Sequence, residues 1–142
     1  MKKLTKQVVK DKLTLSQKLQ TTFQDLQSAC ETYNESPKSD DDKAKVELVI
    51  QEYNESLSNA RSFCEDIASE IQEYMDNKSE KWQESDAASA YESWKEEWEQ
   101  GQEWEEISFS QLVMDEEKGE LDTSDLEDLG ETMDGFSDEV EI

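Results

Sequence analysis

The sequence predicts an all-α protein: a long antiparallel helical hairpin, followed by a third acidic helix and an acidic C-terminal tail. Three observations carry this prediction. The 142 residues include only one Pro and four Gly, which favours long helices over a loop-rich β fold. Apolar residues recur at three- and four-residue steps through the first half of the chain. The acids are concentrated in the second half, where residues 79–142 carry a net charge of -20.

The first helix of the hairpin is predicted from apolar residues that share one helical face. These residues are Val8, Leu15, Leu19, Phe23, Leu26, Cys30 and Tyr33. Pro37 disfavours helical backbone at Ser36 and therefore closes the segment. Ser39 then offers an N-cap for the next helix, and Asp40–Asp42 supply acids for its first turn.

The second helix has the most regular heptad pattern in the chain. One core position is filled by Ile50, Leu57, Cys64 and Ile71, and the other by Val46, Tyr53, Ala60, Ile67 and Tyr74. Both helices are expected to run for roughly 30–35 residues, or about 50 Å at the helical rise. Matching lengths around a short turn predict an antiparallel, coiled-coil-like hairpin over residues 1–78.

The hairpin also predicts the state of the two cysteines, Cys30 and Cys64. If Ser36 faces Asp41 at the turn, the two thiols lie roughly 25 Å apart along the helix axes. A disulfide needs Cα atoms within about 7 Å of each other. We therefore expect two reduced thiols that pack as small apolar side chains.

Residues 79–114 are predicted to begin with a third helix, which starts at Ser79 or Ser85 and ends at Gln100. Trp82 falls outside the register of the other aromatic residues, which indicates a kink or a fresh start at Ser85. The packing face of this helix holds Ala87, Tyr91, Trp94 and Trp98, at steps of four, three and four residues. We interpret this stripe as a packing face, buried against the hairpin or in a dimer, rather than as an aromatic ligand-binding site.

Beyond this helix the pattern weakens. Gly101 is expected to cap the helix C-terminus. Residues 107–113 alternate weakly and could be extended. Trp104 stands among acids and is expected to be the most exposed of the four tryptophans.

Residues 115–142 form an acidic tail with 13 acids and one Lys. The tail also retains apolar residues, namely Leu121, Leu126, Leu129, Met133, Phe136 and Val140. Such an acidic and hydrophobic mixture is typical of segments that become ordered on a partner.

The tetrapeptide YNES occurs twice, at Tyr33–Ser36 and at Tyr53–Ser56. The two copies stand at different places in their helices, so we predict no structural repeat. Asn34 and Asn54 head N-x-S sequons, which matter only in a secreted protein.

The composition argues against an enzyme and against a bound cofactor or metal. The chain has no His, which removes the usual general base at neutral pH and the commonest transition-metal ligand. The best frame for a calcium loop starts at Asp125, but Leu129 and Phe136 stand where oxygen ligands belong. Lys10, Asp11 and Lys12 interrupt any apolar run after the basic N-terminus, so we expect no signal peptide and a cytoplasmic location.

The net charge of -24 predicts a cationic partner, because nucleic acid and anionic membranes would repel the chain. A basic protein surface, most plausibly one that binds nucleic acid, is the natural complement. The candidate partner-binding residues belong to the acidic second half. They are Glu80, Glu84, Asp86, Glu92, Glu96, Glu97, Glu99, Glu103, Trp104, Glu105, Glu106, Asp115, Glu116, Glu117, Asp125, Glu127 and Asp128.

The charge density of one helix falls short of that of duplex DNA. Residues 80–106 carry a net charge of -8, over roughly 40 Å if they are helical. A B-DNA duplex of that length carries about 23 charges, so one helix reaches about a third of its density. A homodimer, together with an ordered tail, would close most of this gap.

In size, helical build and low isoelectric point the chain resembles the phage- and plasmid-encoded DNA mimics that block restriction or CRISPR enzymes. The acids that carry this resemblance are Glu92, Glu96, Glu97, Glu99 and Glu103. The resemblance implies an inhibitor, often dimeric, that occupies the DNA-binding groove of its target. A second hypothesis is an assembly factor: a viral scaffolding protein, or an acidic chaperone whose tail docks a basic client.

Overall fold

Two long antiparallel helices form the frame of the structure, a computed structural model that describes residues 3–36, 38–115 and 119–140. Helix α1 spans Lys6–Glu35 and helix α2 spans Asp40–Asp76. The hairpin is therefore confirmed, and so is the mostly helical fold.

The ends of both helices follow from local hydrogen bonding. The Thr5 side chain accepts a hydrogen bond from the Val8 amide at the start of α1. The backbone of Ser36 is extended, as predicted, and ends this helix. Ser39 and Asp42 form a reciprocal capping box at the start of α2, which satisfies amides that have no partner within the helix.

The heptad pattern of α2 is confirmed by burial. Eight of its nine predicted core residues are buried, and Tyr74 near the end is half-buried. On α1 the five residues from Leu19 to Tyr33 in the predicted face are buried, whereas Val8 and Leu15 are half-buried. Cys30 and Cys64 are free thiols that lie in two different apolar clusters, as expected from their separation.

The remaining elements are short. Helix α3 spans Glu80–Gln83, helix α4 spans Asp86–Glu99, and a 3-10 turn follows over Gln100–Glu103. Helix α5 (Phe109–Leu112) leads into strand β1 (Val113–Asp115), which pairs antiparallel with strand β2 (Glu120–Leu121). Helix α6 spans Leu129–Asp134. No helix in the described residues is long and apolar enough to cross a membrane.

Helix α4 and the residues after it run back along α2. Tyr91, near the start of α4, stacks on Tyr74 with ring centroids 5.1 Å apart. Further along, Gly101 lies against Cys64. Ile107 is hydrogen-bonded to Asn54.

Residues 119–140 then run back along α1, and we call this segment the strap. Leu121 is hydrogen-bonded to Asn34 near the end of α1. At the start of α1, the Leu4 amide donates a hydrogen bond to the carbonyl of Asp138. Leu121, Met133 and Phe136 are buried against the hairpin or α4. The acidic tail therefore folds on its own chain, because the hairpin and α4 together offer the apolar surface that the tail needs.

Two details of the third segment differ from the expectation. The fresh start at Ser85 is confirmed, since the Ser85 side chain accepts from the Ala88 amide. Gly101 does not cap the helix: the chain continues into the 3-10 turn and Gly101 is buried. A Cβ at Gly101 would lie 2.4 Å from Cys64 Sγ, so glycine is required there by close packing. Residues 107–113 are only partly extended, because Phe109–Leu112 form α5.

Candidate partner-binding surface

Helix α4 and the strap lie side by side on one face of the hairpin. Trp94 Nε1 donates to the carbonyl of Ser137 at 2.8 Å, and the Ser137 amide donates to the carboxylate of Glu97. The rings of Trp98 and Phe136 meet edge to face with centroids 5.1 Å apart. The two most acidic parts of the chain are thus brought next to each other. We call the surface formed by residues 80–106 and the strap the acidic face.

A buried lysine holds the end of the strap. The Lys12 side chain is 5% exposed, and its ammonium pairs with the carboxylate of Asp138 at 2.8 Å. The same ammonium donates to the carbonyl of Phe136 and lies 5.7 Å from the ring centroid of Trp98. These contacts satisfy the buried charge and fix the strap against α1.

Two asparagines of the repeated YNES sequence hold the incoming segments in register. The Asn54 side chain donates to the Ile107 carbonyl at 2.8 Å and accepts from the Ile107 amide at 3.0 Å. The Asn34 side chain makes the same pair of bonds with Leu121, at 2.8 and 2.7 Å. The Asn of each copy therefore makes the same pair of hydrogen bonds with a docking segment, although the sequence predicted no structural repeat. The signal was present as the repetition itself, although the segments that dock there could not be deduced from it.

Most of the predicted partner-binding residues are exposed. The exposed set consists of Glu80, Glu84, Asp86, Glu96, Glu99, Glu103, Glu105, Glu106, Asp125 and Glu127. Glu92, Glu97, Asp128 and Trp104 are half-buried. Asp115 belongs to β1, and Glu116 and Glu117 lie outside the described residues.

Glu97, Asp128 and Trp104, which are predicted partner-binding residues, have partners in the strap. Glu97 accepts from the Ser137 amide, and Asp128 caps α6 by accepting from the amides of Gly130 and Glu131. The Trp104 ring stacks on Phe136 with centroids 5.9 Å apart and planes at 15°. Trp104 is therefore half-buried, as is Trp82, whereas Trp94 and Trp98 are buried.

Lys95 neutralises part of the acidic face. Its side chain is only 12% exposed, and its ammonium lies 3.1 Å from Glu92 and 3.8 Å from Glu99. Several other carboxylates of this region are exposed and belong to no salt bridge among the described residues, and four of them lie near the end of α4 and just after it. We call these four the outer carboxylates: Glu96, Glu103, Glu105 and Glu106.

Sequence reasoning missed some acids of the strap that share the acidic face. Glu120, Glu131, Asp134 and Glu139 are exposed, although they were not among the candidates. Acidic character alone does not distinguish them from their neighbours. Their position follows only from the way the apolar residues of the strap dock on the hairpin.

Burial disfavours ionisation of the two cysteine thiols. Burial raises the pKa of Cys64 to about 12, and burial followed by the nearby Asp122 charge raises the pKa of Cys30 to about 11. Both thiols are therefore protonated at neutral pH and are poor nucleophiles. Within the described residues, no group of three or more Cys, Asp or Glu side chains is arranged to hold a metal ion.

No family model, curated protein or solved structure matches this chain.

Proposed function

We propose that this protein binds a basic, nucleic-acid-binding surface of another protein and occupies it in place of DNA or RNA. One observation carries the proposal: two strongly acidic segments lie side by side on one face of the hairpin. Residues 80–106 and the strap carry net charges of -8 and -9, or -17 together. No catalytic step is part of this function.

The charge density of this face supports mimicry by a single copy. Helix α1, along which the strap runs, has 30 residues and is about 45 Å long. A B-DNA duplex of that length carries about 26 charges. The acidic face therefore reaches about two thirds of duplex density, twice the value expected from one helix alone. Dimerisation is no longer required to approach the density of DNA.

The rigidity of the acidic face adds to this argument. The carboxylates of α4 extend from a helix whose opposite side is anchored by the buried residues Tyr91, Trp94 and Trp98. The strap is fixed by Lys12 and by the two bonds of Asn34. Charges that are already held in place lose less conformational entropy on binding than charges on a disordered tail.

The alternative of an acidic assembly factor gains less support. That function assigns the apolar residues of the tail to a client, but Leu121, Met133 and Phe136 are buried in the core of their own chain. Deletion of residues 115–142, which would separate the two hypotheses for a free tail, would also open this core. Charge substitutions on the surface are the cleaner test.

The proposal is tested by capture of the partner from a lysate of the source organism, with cross-linking and identification by mass spectrometry. We expect a nucleic-acid-binding protein whose capture weakens as salt rises, because exposed charge pairs are screened. Added duplex DNA or RNA should release the captured protein, since both ligands need the same surface. A partner that remains bound in the presence of excess nucleic acid would contradict the proposal.

A further inference from the structure

Three aromatic rings meet where α2 ends and α3 begins. The Ser79 side chain accepts from the Trp82 amide and so starts α3 there. The ring of Trp82 lies 6.2 Å from Tyr74 and 5.5 Å from Tyr91, measured between centroids. The planes of Trp82 and Tyr74 stand at 83° to each other, so the two rings form the walls of a corner. Trp82 is the tryptophan that did not fit the register of α4.

The corner holds an ammonium group. Lys78 Nζ lies 4.4 Å from the ring centroid of Tyr74 and 6.0 Å from that of Trp82. Lys78 forms no salt bridge with any carboxylate of the described residues. In a chain with 38 acids, this cation contacts two aromatic rings and is hydrogen-bonded to the Tyr74 side chain. Tyr74, Lys78 and Trp82 are each only half-buried, so the corner is accessible from solvent.

We propose that this corner is an aromatic cage for an alkylammonium ion, and that its external ligand is a lysine side chain of a protein partner. Lys78 fills the cage in the free chain and gives way to the ligand. Aromatic faces attract cations through the ring quadrupole, and such cages are a known means of binding methylated ammonium groups. A methylated lysine is favoured over Lys78 as the occupant, because methylation weakens the hydration of the ammonium that must be removed on binding.

The surroundings favour a lysine within a basic protein segment over a small free cation. Glu73 and Asp76 in the last turn of α2 are exposed, and so is Glu80 at the start of α3. These carboxylates flank the cage residues along the chain and would attract further cations next to the bound lysine. Glu80 and Trp82 lie at one end of the acidic face, but the binding of an ammonium by the aromatic rings does not depend on what the carboxylates of α4 and the strap bind.

The test uses Lys78→Met, which removes the internal ammonium but keeps a chain of similar length, and Lys81→Met as its control. Both variants lose one positive charge, and Lys81 is exposed on the neighbouring helix turn. The probe is a short peptide that carries one trimethyllysine among basic residues, titrated while tryptophan indole signals are followed by NMR. We expect Lys78→Met to bind the peptide at least about tenfold more tightly than Lys81→Met. Equal affinity of the two variants, or no saturable shift with Lys78→Met, would overturn the proposal.

Two further binding experiments identify the position of the site and the class of its ligand. In the Lys78→Met background, Trp82→Leu should abolish binding. Phe109→Leu, at a half-buried aromatic residue outside the acidic face, should leave binding intact, with circular dichroism confirming that both variants are folded. Retention of binding without Trp82 would place the ligand elsewhere and overturn the cage. Choline should bind at least about tenfold more weakly than the peptide, and equal binding would overturn the assignment to a lysine side chain.

Discussion

Asn34 and Asn54 show how single side chains determine where an irregular segment docks. Each amide group satisfies both the amide and the carbonyl of one residue, Leu121 or Ile107, at a half-buried position on the hairpin. Backbone groups that lose such partners away from water cost about 1–3 kcal/mol. The two asparagines therefore contribute to the register of the fold as well as to its stability.

Replacement of Asn54 by Ala should lower the free energy of unfolding by about 1–3 kcal/mol, because both polar groups of Ile107 lose their partner. Asn34→Ala should have a similar effect through Leu121. Urea denaturation gives the measurement, with Asn59→Ala as the control, since Asn59 is exposed on the same helix as Asn54. Equal loss of stability in Asn54→Ala and Asn59→Ala would show that the two hydrogen bonds between Asn54 and Ile107 do not stabilise the fold.

At Gly101, the absence of a Cβ atom allows the backbone to pack closely against Cys64. Gly101→Ala should destabilise the protein by about 1–3 kcal/mol, because the new Cβ would overlap Cys64 Sγ and the site is closely packed. Gly135→Ala is the matched control, since a Cβ there meets its nearest neighbour at 3.4 Å and φ is -76°.

The contact with Cys64 is tested by a double-mutant cycle. Cys64→Ala removes the sulfur, so the effect of Gly101→Ala should be smaller in that background. If the changes in the free energy of unfolding caused by the two substitutions simply add, the Cβ introduced by Gly101→Ala does not overlap the Cys64 sulfur.

At the scale of elements, the sequence predicts whatever a local pattern encodes. The heptads of α2 and the N-caps Ser39 and Ser85 were located correctly, because each depends on residues within a few turns. The strap was not predicted, since its buried residues Leu121, Met133 and Phe136 have no regular period. Their binding surface is built from α1, α2 and α4 together, so it exists only after the hairpin has formed.

The acidic face could likewise be predicted only as far as local sequence determines it. The acidity of residues 80–106 was evident from composition, and most of the proposed carboxylates are exposed. Composition did not show that Glu97 and Asp128 bind backbone amides, because their partners lie in the strap. It also could not show that α4 and the strap are neighbours.

Lys12 is expected to control the attachment of the strap. Lys12→Met keeps the aliphatic stem but removes the ammonium that bonds to Phe136 and Asp138. Amide exchange at Leu4 and Ser137, whose amides bond to Asp138 and Glu97, should therefore accelerate by about 10- to 100-fold, which corresponds to roughly 1.4–2.7 kcal/mol. Exchange at the buried Leu57 should change much less. Lys18→Met, at an exposed lysine of the same helix, is the control, and equal acceleration in both variants would contradict a specific role for Lys12.

In the molecule as a whole, the large net negative charge opposes folding. A net charge of -24 on 142 residues produces self-repulsion in the compact state, which salt relieves. Two Lys and 19 acids lie in residues 80–106 and the strap, so most of this repulsion arises at the acidic face. The proposed binding function would therefore require a surface that lowers the stability of the fold.

Replacement of all four outer carboxylates by Gln should stabilise the protein, because it removes repulsion and breaks no salt bridge among the described residues. A gain of about 1 kcal/mol corresponds to a rise of roughly 2–4 °C in the thermal midpoint for a chain of this size. The gain should be largest at low salt and should shrink as salt is added. Destabilisation by the four substitutions would show that these side chains have structural partners.

Charge variants of the acidic face test the proposed partner binding through their affinity for the captured protein. The four-Gln variant of the outer carboxylates is compared with a control that neutralises four exposed carboxylates of the hairpin, Asp25, Glu52, Glu55 and Asp66. At about 0.3–1 kcal/mol for each exposed pair, the first variant should bind roughly 10- to 1,000-fold more weakly than the wild type. The hairpin control should bind within about threefold of the wild type. Equal weakening in both variants would mean that only total charge matters, and unchanged binding of the four-Gln variant would contradict partner binding by the acidic face.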